Sequence, residues 1–263
     1  AGAEDTKIVF DGNAQDFYIG LDDSADDLII GVGSAVGTTP AISITDGRVV
    51  TIGASGIPVD VGGITFYEGQ SGSMYTADVS GTDDSAENNT AYGASAMDAI
   101  TTGDNNTAMG EHALGALNTG VDNVGIGYNA GSSMTSASYS TVVGRNAGAS
   151  MVDSRLTAIG YYAGGATTHI GNTFVGFNCG SANTSGINNT AMGYNALYQP
   201  DTENANTAIG YGALSGAIAG GEYNVAVGNN TLDALTTADK NVAVGNDAGS
   251  NVTTGYENVI IGY

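Results

Sequence analysis

The chain has no Trp, one Cys, three Pro and only five basic residues in a length of 263. The single Cys179 excludes an intrachain disulfide framework and a cysteine-based zinc site. No run of 18 apolar residues occurs, which argues against a membrane-spanning helix, and no basic stretch leads into an apolar one as a secretory signal would. Lys7, Arg48, Arg145, Arg155 and Lys240 stand against 27 Asp and Glu, a formal net charge of −22. Nucleic-acid binding draws its affinity from basic residues that displace counterions, so nucleic acid and anionic membranes are set aside as partners. Charged residues are 12% of the chain, while Gly numbers 42 and small Ala and Val supply much of the apolar content. That composition is neither disordered nor suited to a wide core, and it calls for a regular structure that buries small side chains.

An internal repeat meets that requirement. A glycine preceded by a short apolar stretch returns at Gly93, Gly110, Gly127, Gly144, Gly160, Gly176, Gly193, Gly210, Gly228, Gly245 and Gly262, at intervals of 16 to 18 residues. The residue before this pivot glycine is always apolar, and three before it is Thr or Val in every copy. Asn stands four before it in nine of eleven copies, with Ser140 and Leu156 as exceptions. Ala stands three after it, replaced by Cys179 and Thr231. The first five residues of the unit alternate as a β-strand does, and a polar turn follows. A unit this short cannot bury its apolar side alone, whereas stacked copies can.

The expected fold class is therefore all-β: a β-solenoid or β-roll of eleven coils over residues 89–263, with successive coils about 4.8 Å apart. Residues 69–88 read as a Gly/Ser/Asp-rich connector. Residues 1–68 read as β-hairpins or a small β-prism, with Asp46-Gly47 as a two-residue hairpin turn. Residues 1–88 hold fifteen acidic and two basic residues. Thin coils gain from association, so three chains around an axis are expected to cover an Ala-rich face and protect strand edges. The chain opens without Met and stops in mid-pattern at Gly262-Tyr263, which suggests a piece of a longer protein.

Candidate chemistry is sparse. His112 and His169 fit no metal-spaced pair and no nucleophile motif, so both read as surface turn residues, and Cys179 reads as a small packed thiol. Gly125 to Gly131 imitates a dinucleotide loop but is one of the repeats with no crossover helix after it, and Asn88-Asn89-Thr90 is a sequon produced by the repeat. Asp22, Asp23, Asp26 and Asp27 form the densest acidic cluster, a Ca²⁺ candidate set against a plain solvated turn. The residue after the pivot glycine is aromatic at Tyr128, Tyr161, Phe177, Tyr194, Tyr211 and Tyr263. Tyr161, Phe177, Tyr194 and Tyr211 fall on consecutive coils, where stacked rings can contact glycan or, more commonly, steady neighbouring strands. The Asn column reads as an amide ladder along the stack. An ice-binding Thr array is disfavoured because the place two residues after the Thr is always apolar, and that pair is expected to point inward or into a subunit contact. No cofactor is expected.

The units Asn106-Thr107-Ala108-Met109-Gly110, Asn189 to Leu197 and Asn206 to Leu214 resemble the repeats of tail-fibre and related structural proteins of marine bacteriophages. They are similar, less closely, to the shorter head repeats of trimeric autotransporter adhesins. Asp5 to Leu28 resembles fibre segments of the same phage group, so the likeness spans most of the chain. It implies a homotrimeric, non-enzymatic rod in a virion tail that serves attachment to a host cell-surface glycan or protein receptor. The alternative is a bacterial cell-surface adhesin whose rod itself binds glycan or matrix. A β-helical polysaccharide enzyme is a third reading, but it needs paired carboxylates across a groove, and the acids of residues 89–263 sit mainly in variable turns.

Overall fold

The computed structural model describes strand segments within residues 6–68, then residues 73–76, 85–200 and 202–263. Nineteen strands and no helix are present among the described residues. The chain divides into two compact units, Ala1–Glu68 and Gly69–Tyr263.

The first unit holds a five-stranded antiparallel meander: β1 (Thr6–Phe10), β2 (Phe17–Asp22), β3 (Asp27–Val32), β4 (Pro40–Ile44) and β5 (Val50–Ile52). A separate antiparallel pair joins β6 (Val59–Val61) to β7 (Ile64–Glu68). The register sets Ile8, Ile19, Ile30, Ile42 and Ile52 opposite one another in a single row across the meander. Aligned β-branched partners of this kind are what fixes a register. The same preference corrects the two-residue turn expected at Asp46-Gly47. That turn would set Ile44 against Val49, whereas Ile44 pairs with Val50 and Ile42 with Ile52, which keeps apolar residues opposite apolar ones.

The second unit is a parallel β-solenoid of about eleven coils. Its rungs after the first are β9 (Thr90–Tyr92), β10 (Thr107–Met109), β11 (Val124–Ile126), β12 (Thr141–Val143), β13 (Thr157–Ile159), β14 (Thr173–Val175), β15 (Thr190–Met192), β16 (Thr207–Ile209), β17 (Val225–Val227), β18 (Val242–Val244) and β19 (Val259–Ile261). Each pairs in parallel with the next, Thr or Val on Thr or Val. The strands are three residues long and not the five expected. The first rung is β8 (Met74–Tyr75), which pairs with β9 inside the segment read as a connector. No glycine marks that rung. Ser73 stands in the Asn column, its hydroxyl accepting the Asn89 N–H at 3.0 Å, and Tyr75 is fully buried.

The corners explain both the short strands and the recurring glycine. Pivot glycines have φ of 126 to 141°, a region open to glycine alone. A Cβ at Gly127 would also lie 2.7 Å from the carbonyl carbon and oxygen of Gly144 on the next coil. Further positive-φ corners recur five residues before the pivot, and two and four after it, at Asn105, His112 and Leu114 in one coil. Asn favours this left-handed conformation and occupies many of these corners, although Arg155, Tyr223 and Lys240 hold it as well. Inter-coil backbone hydrogen bonds continue through the turns, from Leu114 N to Ala130 O at 2.9 Å and from Asn129 N to Glu111 O at 3.0 Å.

Inside, a small fixed volume is filled by exchange between positions. Coils with a small residue at the strand centre, Ala108, Ala191, Ala208 and Ala226, carry Leu114, Leu197, Leu214 and Leu232 four after the pivot, all buried. Where that second position is Gly164 or Gly180, the space is taken by Phe174 of the intervening strand. A Cβ at Gly164 would meet the Phe174 ring at 2.9 Å and one at Gly180 at 2.5 Å. Such compensation is what a core packed to crystal-like density demands.

The buried Ala residues correct one expectation and remove the inward half of another, leaving the subunit contact as its other half. The Ala-rich face lies inside each coil, so no partner chain is needed to cover it. The Thr/Val and apolar pair that brackets each strand centre points outward: Met109 is 50% exposed and Met192 51%. With one side chain directed into so narrow a coil, alternation sends both neighbours out.

Candidate functional site

Three side-chain columns run along the solenoid. The Asn column is interior: Asn89, Asn106, Asn123, Asn189, Asn206, Asn224 and Asn241 are fully buried. The Oδ1 of Asn106 accepts the backbone N–H of Asn123 at 3.0 Å, while its Nδ2 donates to the carbonyl of Gly120 at 2.9 Å. Asn189, Asn206 and Asn224 repeat the pattern. Each amide thus satisfies main-chain groups at two corners of the coil, which accounts for the cost-free burial of a polar side chain. At Ser140 the hydroxyl accepts from Leu156 N at 3.1 Å, and the ladder resumes at Asn172. The expectation of amides bonding along the stack holds, with the backbone as their main partner.

A second polar column was not legible as such. Asp104 Oδ1 accepts from Glu87 N, Asn204 Oδ1 from Ile187 N and Asp239 Oδ1 from Glu222 N, each at 2.8 Å. Several turn carboxylates therefore hold the coil beneath them. Elsewhere, Asp233 Oδ1 is buried without a hydrogen-bond partner, and burial above all, with the Asp247 charge after it, raises this carboxyl above its ordinary 3.8.

The third column is the aromatic one. Tyr161 and Phe177 stack with centroids 4.9 Å apart and planes 12° from parallel. Phe177 and Tyr194 follow at 5.2 Å and 5°, then Tyr194 and Tyr211 at 5.4 Å and 7°. The four residues picked out in the sequence are brought together as one continuous stack. Their exposure lies between 39% and 56%. In such a ladder each ring face is covered by the next ring, so the edges and phenol hydroxyls are what meet solvent. Sugar recognition by ring faces needs the surfaces this stacking occupies.

Sequence reading missed one member of the column, the residue that joins Tyr128 to the four stacked rings. Arg145 occupies the same place on its coil, with its guanidinium carbon 5.4 Å from the Tyr128 ring centroid and 5.9 Å from that of Tyr161. The signal lay in the alignment, where Arg145 fills a position otherwise rich in aromatics. Cation–π contact makes a guanidinium an acceptable member of a ring stack.

Of the other residues singled out, His112 lies half exposed at a positive-φ corner, 3.8 Å from Glu111, and His169 Nδ1 is 2.8 Å from the Thr168 hydroxyl. Cys179 is buried, and desolvation pushes its thiol up to about 12. A thiol so hard to ionise is a packing group. Asp22 ends β2 and Asp27 begins β3 as cross-strand partners, while Asp23 and Asp26 lie outside the described residues. Among the described residues no group of three His, Cys, Asp or Glu could hold a metal ion, and no helix is long and apolar enough to cross a membrane. No family model, curated protein or solved structure matches the chain.

Proposed function

We propose that the protein is a structural fibre component, a stiff homotrimeric rod of a phage tail that serves host-surface attachment. The observation that carries this reading is the outward strand face of the solenoid, on which Thr or Val and an apolar residue repeat on every rung. Contiguous apolar surface of this length is rare on monomers and marks an interaction face. The meander, taken by itself, also exposes apolar side chains, Ile19 at 40% and Ile30 at 38%. The in-register ladders supply stiffness, and rigid multivalent display raises avidity without a deep binding site. The acidic charge keeps such rods apart except where they are complementary. Sedimentation equilibrium of the purified chain tests this: a mass of three chains is expected, reduced to one by Met192→Lys with Ile209→Lys. A monomeric parent would remove the proposal.

The second reading is a bacterial surface adhesin whose shaft binds glycan or matrix directly. It is favoured by the exposure of the aromatic column from Tyr161 to Tyr211.

A further inference from the structure

The aromatic column is not uniform, and among the described residues its one cation is placed unlike any other. The Arg145 guanidinium carbon lies over the Tyr128 ring, 5.4 Å from its centroid, and over the Tyr161 ring, 5.9 Å from its centroid, with one ring on each neighbouring coil. Among the described residues none of its N–H groups forms a hydrogen bond or ion pair. Arg145 is nevertheless exposed. A guanidinium seated between two rings has its rotational freedom restricted, and its planar fork is matched by a two-oxygen anionic acceptor. The carboxylate fits that description.

The surroundings supply the rest. Tyr128, Tyr161, Tyr194 and Tyr211 carry phenol hydroxyls in the same column, two coils apart across Arg145 and across Phe177 and one coil apart at Tyr194 and Tyr211, and none of these hydroxyls is hydrogen-bonded within the described residues. Since the rings cover one another's faces, recognition here is by polar edges. A ligand of repeating hydroxylated units bearing carboxylates suits a row of hydroxyls next to one fixed cation. Within the column itself the chain's negative charge stands apart from Arg145. The one carboxylate in the same column, Glu111, is two coils away, about 10 Å, beyond the roughly 8 Å screening length at physiological salt.

We propose that Arg145, clamped between Tyr128 and Tyr161, is the carboxylate-binding subsite of a surface that takes an acidic saccharide along the hydroxyl edge of the column. This rests on the glycan-binding alternative above and names its ligand class. Trimer formation is measured independently, so either can fail without the other.

The experiment measures retention of the whole 263-residue chain on immobilised polygalacturonate at low salt, against its methyl ester, dextran, dextran sulfate and polyglutamate. Polygalacturonate is expected to bind at least about tenfold more tightly than any of the other four, since the ester keeps every hydroxyl and loses only the charge. Arg145→Gln is expected to lose about that factor, Arg145→Lys to recover part of it, and Arg155→Gln to match the parent. Equal binding of the ester or of dextran overturns the proposal, and so does an Arg145→Gln protein that folds and binds as the parent does. Tighter binding of dextran sulfate overturns the carboxylate assignment, and equal binding of polyglutamate overturns the saccharide. The ester comparison on the unaltered chain decides the matter even if the variant does not fold.

Discussion

The two units reach β-structure by opposite routes. In the meander, four strands of five or six residues and a last one of three pair antiparallel, and pairs such as Ile19 with Ile30 set the register. In the solenoid the strands are three residues long, too short to hold a ladder by themselves. Order there comes from the corners: pivot glycines pressed against the next coil, left-handed residues at fixed places, and buried amides that join backbone groups of successive coils. Tolerance should differ accordingly. A meander forgives changes to its exposed side chains, whereas a solenoid fails when a corner does.

The largest effect is expected at a pivot. Gly127→Ala places a Cβ against the Gly144 carbonyl in a backbone conformation that alanine rarely adopts. A loss of about 3 kcal/mol or more follows, read as a fall in the urea midpoint of the solenoid. Val9→Thr at an exposed position of the meander should stay within about 0.5 kcal/mol. Comparable losses from both would erase the distinction between the units.

Next is the amide ladder. Asn206→Ala leaves the Asn224 N–H and the Gly221 carbonyl without their partners in a dry interior. A cost of about 2–3 kcal/mol is expected, with amide hydrogen exchange rising first at Asn224. Exchange spread evenly over the solenoid would show that the ladder acts globally and not coil by coil.

The smallest effect concerns Asp233. Its folded-state carboxyl titrates above the ordinary value, so the folded state binds the proton more readily than the unfolded one and stability falls as pH rises through that raised value. Below the ordinary 3.8 both states are protonated and the penalty vanishes. Asp233→Asn should therefore stabilise the fold slightly at pH 7, by no more than about 0.5 kcal/mol, read as a small rise in melting temperature, and change nothing near pH 3. A gain of equal size at both pH values would assign the effect to something other than charge.

The glycine period, the Asn column and the apolar alternation are each local, and one pass along the chain is enough to reveal eleven units that stack. The same alignment marks Tyr161 to Tyr211 as a column. The rung at Met74–Tyr75 escapes it because Ser73 performs the ladder bond in place of Asn and no glycine follows. The direction of the strand face escapes it too, since a Thr-Ala-Ile triplet alternates identically whichever side is enclosed.

Repetition along the chain determined, by itself, that this protein is a stack of short coils, because copies of one unit of 16 to 18 residues place like residues at like positions of successive coils. Only the tertiary structure decided what each column does. Whether rings overlap by face or present it, whether an arginine is paired or clamped, and which side of a three-residue strand is enclosed depend on corner angles and coil spacing. Those are distances between residues far apart in sequence, and no local pattern encodes them.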